Sequence, residues 1–142
     1  MKVKLLQVRE ATPIQVNSPQ ALYEQMREEA KADREIFWVI HLNTRNKIIE
    51  KEIVAMGNLD GCQVHPREIF RKAIILSSKS IITVHNHPSG DKTPSKEDFN
   101  LWSKINNAGE ILGIDVLDHL IITADSYYSF REVNRCSTAA TI

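Results

Sequence analysis

Residues Ser80 to Asp98 read SIITVHNHPSGDKTPSKED. Ser80 to Val84 is short, β-branched and apolar, the composition of a strand. His85 to Pro94 holds two prolines and a glycine, so it reads as a loop that ends the strand. Ser95 then opens a helix to about Ala108, with Phe99, Trp102 and Ile105 on one side. Gly109 or Gly113 is placed to end that helix. A strand, a loop and a helix in this order, followed by a further apolar strand at Leu117 to Thr123, are the parts of an α/β unit.

The same reading extends in both directions. Upstream, Met1 to Arg9 alternates weakly and suggests an edge strand. Ser18-Pro19 is a helix start, with Ser18 as cap and Pro19 at the first helical position. Leu22, Met26 and Ala30 follow at helical spacing, which predicts a helix to about Lys31. Ile36 to Leu42 is an apolar run that fits a strand buried on both faces. The turn residues Asn43 to Asn46 separate it from a second strand, Lys47 to Ala55, giving a hairpin. A loop at Asn58 to Gly61 leads to a helix opened by His65-Pro66, with Ile69, Phe70, Ala73 and Ile74 on its inner face. Downstream, Tyr127 to Phe130 closes the sheet, and residues 133–142 form a frayed tail. These parts make one layered α/β (α+β) domain over residues 1–142, with its core at about 18–132 and about three helices on a central sheet.

Bulk properties narrow the function classes. A chain of 142 residues is one domain, and 18 Lys plus Arg against 18 Asp plus Glu gives zero formal net charge. That balance disfavours nucleic-acid binding through bulk positive charge. The two cysteines, Cys62 and Cys136, form neither a CxxC nor a disulfide framework, which suits a reducing cytoplasm. No apolar run approaches the roughly 20 residues of a membrane span, and no signal-peptide pattern is present.

Chemistry concentrates at the end of the decisive strand. His85 and His87 stand two residues apart, and some backbone irregularity would let both rings face one point. Asp98, one turn into the next helix, can project back toward them. Two imidazoles and a carboxylate suit Zn²⁺, and three protein ligands with room for water is a catalytic arrangement, whereas a structural zinc uses four.

His85, His87, Ser95 and Asp98 reproduce the spacing His-x-His, seven residues, Ser, two residues, Asp. This resembles the JAMM (MPN-plus) metalloprotease signature. Val64-His65-Pro66-Arg67-Glu68, His85-Asn86-His87-Pro88-Ser89-Gly90, Pro94-Ser95 and Asp118-His119-Leu120-Ile121 narrow the resemblance to the RadC family of bacterial JAMM domains, over about Pro19 to Glu132. The resemblance implies a JAB/MPN fold with a mixed sheet, related to the cytidine deaminases, and a zinc-dependent hydrolase acting on peptide or isopeptide bonds. It implies that His85, His87 and Asp98 hold the zinc, and that Ser95 hydrogen-bonds the reacting water or the oxyanion. Glu35, just before Ile36, matches the family's general base.

Plainer readings compete with these assignments. Ser95-x-x-Asp98 is also a capping box. Glu68 is an alternative base, although its place in a first helical turn fits a dipole partner. Asp118 and His119 read as structural hydrogen-bonding residues, and His41 as a satisfied core histidine. Arg67, Arg71, Lys72 and Lys79 form a modest basic bias that reads as a solvated face. RadC-like proteins commonly carry an N-terminal helix-hairpin-helix region. Only about 18 residues precede the first helix here, so the chain reads as a short stand-alone member or a fragment. Two rival functions follow: a non-catalytic MPN-type interaction module, and a DNA-repair-associated accessory protein. The sequence leaves open whether the domain forms a homodimer.

Overall fold

The sheet is built around a run in which every residue is buried. Ile36–Leu42 forms β1, and its seven residues are all inside. The chain is described by a computed structural model over residues 11–57 and 64–134. The expected edge strand at Met1 to Arg9, the loop at Asn58 to Gly61, and both cysteines lie outside the described residues.

β1 pairs antiparallel with β2 (Ile48–Met56), the predicted hairpin. Its other edge pairs antiparallel with β3 (Ser80–Asn86), from Leu42 opposite Ser80 to Phe37 opposite His85. β3 pairs in parallel with β4 (Asp115–Ile122), which takes β5 (Tyr127–Ser129) as its antiparallel neighbour. The order is β2-β1-β3-β4-β5, a five-stranded mixed sheet with β3 at its centre. Strand alternation divides the core between two faces. Trp38, Ile40, Val84, Leu120 and Ile122 pack with Leu22 and Met26 on one side. Phe37, Val39, Ile81 and Ile121 pack with Ile69, Phe70, Trp102 and Ile105 on the other. The first face is covered by helix α1 (Pro19–Gln25), the second by α2 (Pro66–Ile75) and α3 (Lys96–Leu112).

Several boundaries differ from the sequence reading. The first helix stops at Gln25, and a 3-10 turn follows at Glu29–Lys31. Met26 and Ala30 stay buried through the break. Between them lie only charged residues, so little apolar area rewards a continuous helix, and helical stability comes chiefly from such burial. Ile74 and Phe99, assigned to inner faces, are 59% and 44% exposed. β3 runs two residues further than predicted, through His85 and Asn86, because Ile121 and Ile122 of β4 remain available as partners. Gly113 (φ +72°) ends α3 in the left-handed conformation, whereas Gly109 lies inside the helix. Phe130 begins a helical segment, and residues 130–134 are helical where a strand end and the start of a frayed tail were expected.

Candidate metal centre

The extra length of β3 governs the site. His85 faces the α2–α3 side of the sheet with Phe37, whose ring lies nearly parallel to it at 5.9 Å, and Trp102, at 6.3 Å. His87 keeps the strand period of two, because its N–H still donates to Ile122 O at 3.0 Å. The two rings therefore reach one point without the irregularity the sequence reading required, their Nε2 atoms 3.2 Å apart. Only then does the chain turn, with Gly90 N–H donating to His87 O and Gly90 at φ +87°.

Asp98 arrives from the other side. Ser95 caps α3, its hydroxyl accepting from Asp98 N–H at 3.1 Å, while Asp98 Oδ2 accepts from Ser95 N–H at 2.9 Å. This capping box fixes the carboxylate over the strand end, 3.4 Å from His85 Nε2 and 3.7 Å from His87 Nε2. The capping reading of Ser95-x-x-Asp98 is realised, and the box also holds Asp98 where it faces the histidines. Burial alone would raise the Asp98 pKa. Hydrogen bonding and charge from His85, with the Ser95 contacts, outweigh it and hold the carboxyl at about 2.

The three donor atoms lie within 4.8 Å of one another, and among the described residues this is the one such group of His, Cys, Asp or Glu. The donor set fits a metal. His87 Nδ1 donates to Asp91 O at 2.7 Å, which requires the proton on Nδ1 and leaves the Nε2 lone pair facing the cluster. His85 Nδ1 is buried without a hydrogen-bond partner, so the ring's one polar engagement is through the Nε2 that faces the centre.

Glu35 lies one residue before β1. The antiparallel register pairs Phe37 with His85. Glu35 lies two residues beyond that last rung, at the same end of the sheet as His87. Glu35 lines an open cleft of about 500 Å³ with Arg34, Gly57, Pro88 and Ser89. Glu68, the alternative base, is exposed at the start of α2, where its carboxylate accepts from His65 N–H at 3.4 Å.

Several other polar residues singled out in the sequence have structural partners. Buried Asp118 accepts from the Ser129 hydroxyl at 2.5 Å and from the N–H groups of His119 and Arg131. His119 binds Thr83 and Asn106. His41 is fully buried between Glu52 and Ser78. Lys72 and Lys79 of the basic bias pair with Glu50 and Asp115. Sequence reasoning missed Asp91, whose carbonyl sets the His87 tautomer, and Asn86. Strand alternation was the available signal for Asn86: a residue between two same-face ligands must turn elsewhere.

The sequence pattern of the RadC-like JAB domain matches residues 16–135. The chain belongs to the RadC-like JAB domain family. It is 46% identical over 111 residues to a UPF0758 protein of Methanosarcina acetivorans, covering 78% of this chain and 47% of that relative. It is 41% identical over 130 residues to a UPF0758 protein of Clostridium perfringens, covering 91% and 57%. A UPF0758 protein of Thermotoga maritima is 42% identical over 123 residues, covering 87% and 55%. This RadC-like domain therefore spans about half the length of the curated relatives it matches. Among the described residues, no helix is long and apolar enough to cross a membrane.

Proposed function

We propose that this RadC-like domain is a zinc-dependent hydrolase that cleaves peptide or isopeptide bonds in the cytoplasm. The observation that carries the reading is the convergence of His85 Nε2, His87 Nε2 and an Asp98 carboxylate oxygen on one point at the end of the central strand. A zinc ion held by these atoms would supply Lewis acidity to a carbonyl and acidify a water. Glu35, one residue before β1 at the same end of the sheet, takes the proton of the attacking water and returns it to the leaving amine. The Ser95 hydroxyl accepts from Asp98 N–H, and its own proton can donate to the developing oxyanion. The cleft beside Glu35, bounded by Pro88, Ser89 and Gly57, gives the substrate chain a place to lie. The substrate is a peptide or protein; zero net charge argues against nucleic acid.

The test combines metal analysis with cleavage of a fluorescence-quenched peptide library. Reconstituted protein should hold about one zinc per chain, and His87→Ala should lose it. Glu35→Gln should keep the zinc and slow cleavage by roughly 10²- to 10⁴-fold. Protein without stoichiometric zinc overturns the reading, and cleavage unchanged in Glu35→Gln removes the base. Zinc binding without any cleavage would favour the non-catalytic interaction module.

A further inference from the structure

Asn86 stands between the two histidines of the centre, yet it does not face it. It is fully buried, and it shares the strand parity of Ile82 and Val84 rather than that of His85. Its carboxamide accepts from Ile36 N–H at 2.7 Å and donates to Arg34 O at 2.9 Å. The two partners fix which end is oxygen and which is nitrogen, since a flipped amide would set donor against donor. These backbone groups flank Glu35 on either side. A third tie reaches the same residue, because Gly57 N–H donates to Glu35 O at 2.8 Å.

We propose that Asn86 is a positioning residue that fixes Glu35 against the His85–His87–Asp98 centre. The proposal rests on the reading of Glu35 as the base. Backbone pairing between β1 and β3 ends at Phe37 and His85, so Glu35 lies beyond the last ladder rung. A carboxamide is a one-residue length of peptide, and here it extends the pairing past that rung from the strand that also carries both histidines. Base and ligands are thereby referenced to one rigid element. Burying a carboxamide is costly unless both of its ends are bonded, and here both are. A residue with only an acceptor, or only a donor, could not hold both flanks of Glu35.

The test uses the full chain, zinc-reconstituted, as parent, Asn86→Ala, Glu35→Gln and the double variant, with the fluorescence-quenched peptide library as substrate. Asn86→Ala should keep about one zinc per chain, lose kcat by roughly 10- to 100-fold and leave KM within about threefold. In the Glu35→Gln background the same substitution should cost no further kcat, because its effect passes through Glu35. A merely structural role would cost the same factor in both backgrounds. Independently of turnover, hydrogen exchange at the Ile36 amide should quicken at least about tenfold in Asn86→Ala, with Val39 and Ile82 unchanged. If Asn86→Ala fails to fold, Asn86→Asp is isosteric: it keeps the acceptor for Ile36 N–H but sets an acceptor against Arg34 O. It should show the same loss of kcat, confined to the Glu35 background, with Ile36 exchange near the parent's because that acceptor is kept. Parental kcat or equal losses in both backgrounds, or unchanged Ile36 exchange in Asn86→Ala, overturns the proposal. Failure of the underlying reading shows instead in Glu35→Gln, as cleavage equal to the parent's.

Discussion

His119 shows how much one buried ring can contribute to stability without touching the centre. It stacks on Trp102 at 5.2 Å, its Nδ1 lies 2.6 Å from the Thr83 hydroxyl, and its Nε2 lies 2.8 Å from Asn106 Oδ1. The amide oxygen can only accept, so Nε2 carries the proton and Nδ1 accepts from Thr83. Burial first, and the nearby charge of His85 second, push its pKa down to about 3. The unfolded chain takes up a proton near the ordinary histidine value of about 6.5, and the folded ring refuses it. The stability that neutral His119 confers is therefore full above about pH 6.5 and is lost as the pH falls from there toward 3. The slope approaches one proton, or about 1.4 kcal/mol per pH unit. Urea unfolding of metal-free protein at pH 7, 6 and 5 checks this: the stability gap between parent and His119→Gln should narrow steadily as pH falls. A gap that stays constant would assign the acid sensitivity elsewhere.

At the scale of elements, α3 carries both a legible and an illegible part of the fold. Its cap was readable, because Ser95 and Asp98 satisfy a local rule that needs no knowledge of the rest of the chain. So was the grouping of His85, His87 and Asp98, whose spacing lies within one strand–loop–helix unit. Its end was not readable. Gly109 and Gly113 are equivalent in sequence, and the difference arises only when β4 packs back. A Cβ on Gly109 would stand 2.7 Å from Ile114 O and 2.7 Å from the Val116 side chain, whereas Gly113 has open space and φ +72°. Gly109 is thus a close-approach glycine. Gly109→Ala should destabilise the protein by roughly 1–3 kcal/mol despite its better helix propensity, read as a lowered urea midpoint. A rise in midpoint would show that helix and strand can part without cost. The same limit hid Asn86. Its neighbours in sequence belong to the centre, but its partners, Arg34 O and Ile36 N–H, come from some 50 residues earlier. Glu35 needed family resemblance for the same reason, since a carboxylate after Asp33 and Arg34 reads locally as solvated. His85 and Asn86 were read as loop because polar residues beside proline suggest one, and the partner strand that holds them straight is remote.

For the molecule as a whole, the sheet order places the centre at the end of the central strand. β3 is paired on both edges, to β1 and β4, and each face of the sheet has its own apolar core. The two histidines inherit that rigidity. Asp98 does not, since it belongs to the first turn of a helix whose start is held by the Ser95 box. The three donors are thus unequally anchored, and this bears on exchange kinetics rather than on affinity alone. A bound ion would leave by the way of its least secured donor, so its residence time would be set by how often the first turn of α3 frays. Ser95→Ala removes one capping bond worth about 1 kcal/mol, which translates to a release rate roughly fivefold faster with little change in capture. Stopped-flow transfer of zinc to an excess chelator measures it, and an unchanged rate in Ser95→Ala would mean the histidines let go first. On this account a helix cap would serve as the latch on a bound metal, and the hold on that ion would be timed by the opening of a single turn.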